Sequence, residues 1–226
     1  MSHEKTKLII VGDSAFAEIA REYFDVDSNY RVVAFSVESA YLKNDRLHDL
    51  PVVAFETLEQ SYSPHEHHIF VAITYTQLNR LRARLMASAK KKGYGLASYV
   101  SSRAFVWRNA EVGEHCFVFE DNTLQPFVKV GNNVVLWSGN HIGHHSTIRD
   151  NCFISSHVVI SGFCNIGENS FLGVNCTLAN NVTLGKDNWI GPGVTITRAT
   201  EAGALFSAPV EEPSRVSSLR FFKIKE

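Results

Sequence analysis

The chain has 226 residues, of which 45% are hydrophobic, enough for one large core or two modest ones. Its formal net charge is -1, with both signs scattered, so we expect a small-molecule partner and no nucleic acid. No apolar run approaches the roughly 20 residues that span a bilayer and no secretion signal is evident, so we expect no membrane partner.

The first part of the chain alternates short apolar runs with helical patterns. The clearest helical pattern extends from about Gln77 to Lys91, with Gly93 as its stop. Strands that alternate with helices predict a small, Rossmann-like α/β domain with a parallel sheet, which we assign to residues 1–98. Four apolar runs are its predicted strands: 7–11, 32–35, 52–55 and 69–73.

The first predicted strand ends in a Gly12-Asp13-Ser14 turn, and Ser14 is the predicted N-cap whose hydroxyl accepts from a free helix amide. Such a turn can present backbone N–H groups to a phosphate. The full GxGxxG pattern is missing from the sequence and Asp13 would repel a phosphate, so a plain strand-to-helix turn remains the alternative. Ligands of α/β sheets bind at the carboxyl ends of strands. The candidate substrate-binding residues there are Gly12, Asp13, Ser14, Ser36, Thr74 and Tyr75.

A six-residue repeat begins near Val100. It predicts a β-solenoid of short parallel strands, three to a coil, in which residues eighteen apart lie above one another. We assign residues 99–205 to this solenoid and 206–226 to a C-terminal tail. The aliphatic positions of the repeat are Val100, Val106, Val112, Val118, Leu124, Val130, Leu136, Ile142, Ile148, Ile154, Ile160, Ile166, Leu172, Leu178, Leu184, Ile190 and Ile196.

Two further positions of the repeat support the solenoid. Many glycines directly follow the aliphatic residue, which we explain by a corner whose backbone conformation disfavours a Cβ. Four positions after the aliphatic residue the side chains are mostly small. We predict that the cysteines there fill the interior without binding zinc, and with the missing secretion signal they favour a reducing cytoplasm. These cysteines are Cys116, Cys152, Cys164 and Cys176.

The second half of the chain resembles the left-handed parallel β-helix of hexapeptide-repeat acyltransferases. With the α/β domain in front, residues 5–210 resemble the sialic acid O-acetyltransferase family and the related nucleotide-aminosugar N-acetyltransferases. This resemblance implies transfer of acetyl from acetyl-CoA to the amino group of a nucleotide-linked sugar by a homotrimer, with the nucleotide held in the α/β domain. O-acetylation of a sugar or sialic acid is the alternative. The repeats that carry the resemblance are Ile142-Gly143, Ile166-Gly167, Leu172-Gly173, Leu184-Gly185 and Ile190-Gly191-Pro192-Gly193.

A histidine cluster lies at one predicted corner of this helix. Acyl transfer needs a base, a donor for the oxyanion and a groove for the thioester. His144 follows the corner, and histidine titrates near working pH. Gly162 lies eighteen residues on, where a missing side chain would let the thioester carbonyl approach. The resemblance implies that His144 is the catalytic base and that Gly162 offers its N–H to the carbonyl.

The neighbours of His144 leave questions open. The family often has Glu or Asp directly after the base, whereas this chain has His145. Either His145 assists, or Asp150 or a carboxylate of another subunit replaces the acid. His141 is a further substrate-binding candidate. His157 lies on a different side of the coil and could reach the site only across a subunit boundary.

The acetyl-CoA groove is expected farther along the helix, between neighbouring subunits. Each candidate could also be a plain coil corner or chain exit, and Ala208-Pro209 resembles a terminal small-Pro element that contacts the coenzyme arm. The candidate cofactor-binding residues are His157, Gly173, Asn175, Ile190, Gly191, Gly193, Ala208 and Pro209.

Two other function classes compete with the transferase. The first is a non-catalytic β-helical protein for assembly or nucleotide-sugar binding, favoured by the missing carboxylate and the incomplete glycine turn. The second is a zinc enzyme like the β-helical carbonic anhydrases. Zinc needs three protein ligands and an open position, and the histidines here lack convincing spacing for it.

Overall fold

The computed structural model of the protein describes residues 5–208, 210 and 212–224. The α/β part is one six-stranded sheet with a helix after β1 and another after β5. The elements are β1 (Thr6–Val11), α1 (Ala15–Val26), β2 (Tyr30–Val37), β3 (Arg46–Leu47), β4 (Leu50–Ala54), β5 (His67–Val71), α2 (Arg80–Lys91) and β6 (Gly95–Leu96). The strand order is β3-β4-β2-β1-β5-β6, and all neighbours pair in parallel except β3 and β4.

Two local predictions in this part were wrong. Helix α2 begins at Arg80, because Gln77, Leu78 and Asn79 all have left-handed φ values that no α-helix accommodates. Ser14 is the N-cap of α1, but its side chain makes no capping hydrogen bond. In the described part of the chain, no helix has the length and apolarity needed to cross a membrane.

From Tyr99 the chain winds into a parallel β-helix with three faces. The first face is β7 (Tyr99–Val100), β10 (Phe117–Val118), β13 (Val135–Leu136), β16 (Phe153–Ile154), β19 (Phe171–Leu172), β22 (Trp189–Ile190) and β24 (Leu205–Phe206). The second face is β8 (Phe105–Val106), β11 (Thr123–Leu124), β14 (His141–Ile142), β17 (Val159–Ile160), β20 (Thr177–Leu178) and β23 (Thr195–Ile196). The third face is β9 (Glu111–Val112), β12 (Lys129–Val130), β15 (Thr147–Ile148), β18 (Asn165–Ile166) and β21 (Thr183–Leu184). Beyond β24 the only helix in the described tail is α3 (Ser218–Phe221).

The six-residue repeat builds this helix as predicted. From Val118 to Ile196 every aliphatic position of the repeat is at most 4% exposed. Paired residues of neighbouring coils are eighteen apart, as in the pair Thr123 and His141. The four cysteines are free and buried in the coil interior, and the cytoplasmic location stays a prediction.

The glycines of the repeat have a different cause from the one predicted. Gly143 does not have a positive φ; instead, a Cβ on it would lie 2.6 Å from the amide nitrogen of Gly162 in the next coil. Close backbone approach therefore selects glycine. The left-handed residue comes two positions after this glycine, and Asn, Asp and His tolerate that conformation better than most. Most of the left-handed corner residues are of these types: His115, Asp121, Asn133, His145, Asn151, His157, Asn169, Asn175, Asn181 and Asp187.

The first face of the β-helix packs against the α/β part. Its outward side chains share a buried cluster with Phe16, Phe24 and Phe70. Stacking is tight along this row, with ring centroids of Phe171 and Trp189 4.0 Å apart. The shared core holds the α/β part against this face of the β-helix. The outward residues of this row lie eighteen positions apart, and all are aromatic except Val135: Tyr99, Phe117, Val135, Phe153, Phe171 and Trp189.

Candidate functional site

Two corners of the β-helix carry the predicted site residues. The first corner, between the first and second faces, contains Gly139 and His157. The second corner, between the second and third faces, contains His144, His145 and Gly162. His144 and His145 are both exposed to solvent. Since one whole face separates the corners, a single chain does not bring His157 to His144.

His144 lies directly over Gly162. A Cβ on Gly162 would be 2.9 Å from Cε1 and 3.0 Å from Nε2 of the imidazole, so only glycine fits beneath the ring as it stands. The backbone amide of His144 donates to Oε1 of Gln125 at 2.9 Å, which fixes the corner. Of the described side chains, none hydrogen-bonds Nε2 of His144, so this nitrogen is open to a substrate.

The amide of Gly162 is not a free donor. It donates to Oδ1 of Asn180 at 3.0 Å, one coil farther on. The resemblance assigned this N–H to a thioester carbonyl, so that role requires Asn180 to release it. Asn180 is exposed and belongs to the second corner.

His145 sits in an aromatic sandwich that the sequence reasoning missed. Its ring stacks on Phe127 at 4.6 Å between centroids and on Phe163 at 4.8 Å, with interplanar angles of 27° and 16°. Its Nδ1 lies 3.1 Å from Nδ1 of His144. Phe127 and Phe163 each lie eighteen residues from His145, and that spacing was a usable signal. Asp150 lies at the next corner along the coil, where its Oδ1 accepts from the amide of Asn132.

The candidates for coenzyme binding gather at the first corner. The His157 ring lies against Gly139, where a Cβ would be 2.5 Å from Nδ1. Asn175 and Gly193 follow at intervals of eighteen, and the space where a Cβ of Gly193 would point is open. His141 is half-buried on the second face, between the two corners.

The remaining coenzyme candidates are framework positions. The side chain of Ile190 is fully buried in the helix core, so its predicted contact with the cofactor stays a prediction that only its backbone would fulfil. Gly173 and Gly191 are sites of close coil approach, and the amide nitrogen of Ala208 would lie 2.7 Å from a Cβ on Gly191. Pro209 lies outside the described residues.

The turn after β1 is built for close approach. Gly12 has a φ of 128°, and a Cβ on it would lie 2.9 Å from the carbonyl oxygen of Ala72. Asp13 and Ser14 are exposed at the amino end of the twelve-residue helix α1. The first amides of a helix lack intrahelical partners, and the Ser14 hydroxyl does not cap them. This helix end can therefore donate to an anion.

The other candidates on the sheet edge differ in access. Ser36 is fully buried and its hydroxyl has no partner among the described atoms, so its predicted contact with substrate stays a prediction. Thr74 is half-buried after β5. Tyr75 is 42% exposed and its ring lies 4.6 Å from that of Phe171, so it bridges the sheet edge and the β-helix.

Within the described ranges, no three His, Cys, Asp or Glu side chains are grouped so that they could hold a metal ion. The second corner instead offers one imidazole with an open nitrogen, a second imidazole behind it, and the amide of Gly162 below, which is bonded to Asn180.

Comparisons with known proteins agree with the fold. Residues 127–162 and 163–198 match the bacterial transferase hexapeptide family (six repeats). A search of curated proteins gave no significant match.

Solved structures match over nearly the whole chain. The acetyltransferase domain of PglB from Neisseria gonorrhoeae FA1090 has a TM-score of 0.80 at 21% identity, covering 90% of this chain and 97% of that one. PerB from Caulobacter crescentus, in complex with CoA and GDP-perosamine, has a TM-score of 0.79 at 22% identity, covering 89% and 94%. WeeI from Acinetobacter baumannii AYE has a TM-score of 0.69 at 18% identity, covering 90% and 97%. Residues 127–198 thus match the bacterial transferase hexapeptide model, and the fold of the chain is similar to that of the PglB acetyltransferase domain and of PerB.

Proposed function

We propose that this protein is an acetyl-CoA-dependent acetyltransferase that acts on the amino group of a nucleotide-linked sugar, with His144 as general base. One observation carries the proposal: His144 lies over Gly162 with Nε2 open, at an exposed corner of this fold. A similar structure, PerB, was solved with CoA and GDP-perosamine, and a variant of the same organism's enzyme is described as perosamine N-acetyltransferase. These descriptions favour N-acetylation over O-acetylation.

The chemistry follows from the geometry. The sugar amine attacks the thioester carbonyl carbon, and Nε2 of His144 takes the proton that the nitrogen loses. The tetrahedral intermediate collapses, the carbon–sulfur bond breaks, and the CoA thiolate takes the proton back from His144. The N–H of Gly162, once Asn180 releases it, would stabilise the oxyanion.

The nucleotide would bind at the sheet edge. The open amino end of α1 and the close turn at Gly12 suit a diphosphate. The carboxylate of Asp13 would repel the phosphates, so it must face away from them or accept a hydrogen bond from a ribose hydroxyl. Tyr75, which joins this edge to the β-helix, would line the path toward the second corner.

A threefold assembly of left-handed β-helices would complete the site. The support is that His144 at the second corner and His157 at the first corner lie one face apart in a single chain, so that each corner holds one half of the proposed site. Exposed apolar side chains on and beside the second face support a covered surface; they are Phe105, Phe127, Val159 and Phe163. In such an assembly the first corner of one subunit would hold acetyl-CoA against His144 of its neighbour.

The activity is tested with acetyl-CoA and a panel of nucleotide-linked aminosugars, by following release of free thiol. We expect turnover with at least one sugar, and a loss of about 10²-fold or more in kcat for His144→Ala. His65→Ala, an exposed histidine in the α/β part, is the matched control and should keep full activity. Acetyl-CoA binding without transfer would instead indicate a non-catalytic protein.

Co-expression of two inactive variants tests the shared site. If His144 and His157 act across a boundary, His144→Ala and His157→Ala subunits together should recover roughly a quarter of wild-type sites by random assembly. The double variant in one chain, mixed with itself, should recover none. Failure to recover activity in the mixed sample contradicts the shared site but leaves His144 as the base.

A further inference from the structure

The ring of His145 stacks between Phe127 and Phe163 and contacts His144. Catalysis by His144 alone would not require this aromatic sandwich. A neutral histidine accepts one hydrogen bond and donates another. The 3.1 Å contact joins the two Nδ1 atoms, so one of them carries the hydrogen. If His144 donates from Nδ1, its Nε2 is unprotonated and ready to act as a base.

Within the part of this chain that the structure describes, no carboxylate contacts His144 to stabilise the charge that it gains. Among the described hydrogen bonds and ion pairs, none joins an acidic side chain to either ring. The groups that contact the pair are Gln125, Gly162 and the two phenyl rings, all neutral. The charged residues in the same corner column are Arg108 and Arg198, two coils before and three coils after His144, and both are cationic.

We propose that His145, held between the faces of Phe127 and Phe163, receives the positive charge during acyl transfer and so replaces the missing carboxylate. This rests on the proposed function of His144. The faces of aromatic rings attract a cation. Here two such faces flank one imidazole in stacked geometry, at 4.6 and 4.8 Å between centroids.

The proton balance is complete without another reactant. When Nε2 of His144 takes the amine proton, the Nδ1 proton of His144 moves to Nδ1 of His145. His145 becomes the imidazolium between the two phenyls, while His144 stays neutral. When the CoA thiolate takes the Nε2 proton, the Nδ1 proton returns to His144.

Variants at His145 separate its chemistry from its packing. His145→Phe extends the aromatic stack but removes the acceptor, so we expect kcat to fall about tenfold or more with an unchanged KM for acetyl-CoA. His145→Glu supplies a carboxylate acceptor, so it should retain most of kcat. Its acidic limb of the pH–rate profile should lie at higher pH than that of the wild type, because an anion stabilises the protonated base.

The phenyl rings are tested in both backgrounds. Phe127→Leu and Phe163→Leu should each lower kcat roughly two- to fivefold in the wild type. In His145→Glu the same changes should have almost no effect on kcat, since no cation forms between the rings. Equal losses in the two backgrounds would show that the rings only support the corner, and would overturn the proposal.

A titration of the two imidazoles by nitrogen NMR keeps the test independent of turnover. We expect Phe163→Leu to move proton uptake by the pair to lower pH, because the cation loses one face. An unchanged titration would overturn the inference, even if His144→Ala abolishes acetyl transfer. The opposite outcome is also informative. If the wild type transfers no acetyl group but Phe163→Leu still shifts the titration, the proposed function is contradicted, and the role of the two phenyl rings in stabilising the cation stands.

Discussion

Arg82 donates from Nη2 to the backbone carbonyl oxygen of His115 at 2.9 Å, a contact that ties helix α2 to a corner of the β-helix. The same guanidinium donates to the carbonyl oxygens of Val71 and Asn133 at 3.0 and 2.7 Å, and it lies 5.3 Å from the ring centroid of Phe70. Arg82 is 1% exposed and has no carboxylate among its described partners. Burial lowers its pKa to about 9, so the group remains charged at neutral pH.

Replacement of Arg82 should therefore weaken the packing of the two parts against each other and lower the stability of the protein. Arg82→Met leaves three buried carbonyl oxygens without their charged donor, and we expect the free energy of unfolding to fall by about 3 kcal/mol. The matched control is Arg84→Met on the same helix, whose ion pair with Glu38 is partly exposed and should contribute below about 1 kcal/mol. Urea unfolding followed by tryptophan fluorescence measures both. Equal effects of the two variants would contradict a special role for Arg82.

His115 should make stability depend on pH. Its Nε2 accepts from the amide of Val71 at 2.9 Å, and its Nδ1 lies 2.8 Å from Oδ1 of Asn133, so the folded protein holds the ring neutral. Burial, and then the charge of Arg82, lower the pKa of His115 well below its ordinary value.

The sign follows from the unfolded chain, where histidine has a pKa near 6.5 and binds a proton more readily than in the folded state. The contribution of His115 is thus present above about pH 6.5 and is lost progressively as the pH falls below it, by up to about 1.4 kcal/mol per pH unit. Between pH 7.5 and pH 5, the free energy of unfolding should fall more steeply with decreasing pH in the wild type than in His115→Gln. Parallel curves for the two proteins would exclude His115 as the acid-sensitive group.

The six-residue repeat made the β-helix predictable because each buried aliphatic residue recurs with the coil. The same reasoning could have found more. Phe127, His145 and Phe163 are eighteen apart, and so are Phe153 and Phe171 on the face that meets the α/β part. Their recurrence predicts stacked columns, because residues at that spacing pair directly across neighbouring coils.

Other features have no periodic signal. The contact of Arg82 with His115 depends on how an α-helix docks on a β-helix, and a charged residue carries no sequence signal for such burial. Leu78 fits the apolar spacing of α2, so the sequence predicts a helix where the structure has the left-handed turn at Gln77–Asn79. The bond from Gly162 to Asn180 depends on which side chain the next coil carries at this corner, and the backbone repeat does not specify that side chain.

Two glycine substitutions should separate stability from activity. In Gly162→Ala the new Cβ meets the movable imidazole of His144 at 2.9 Å, so we expect stability within about 1 kcal/mol of the wild type but kcat lowered tenfold or more. In Gly143→Ala the Cβ meets backbone atoms of Gly162 and Ser161 at 2.6 Å, which cannot yield cheaply, so stability should fall by about 2 kcal/mol. Thermal unfolding and the thiol-release assay compare the two. A Gly162→Ala enzyme with normal kcat would mean that the ring over Gly162 is not the catalytic arrangement.

Asn180 decides which amide stabilises the oxyanion. Its Oδ1 holds the N–H of Gly162, so Asn180→Ala frees that donor for the thioester carbonyl, and we expect kcat within about threefold of the wild type. Asn180→Asp retains the acceptor but sets a negative charge beside the developing oxyanion, so kcat should fall by about tenfold or more. The matched control is Asn132→Ala, since Oδ1 of Asn132 accepts the amide of Glu114 at a corner away from His144, and it should leave kcat unchanged. A tenfold loss in Asn180→Ala would show the opposite assignment, with the side-chain amide of Asn180 as the donor and the N–H of Gly162 serving only to orient it.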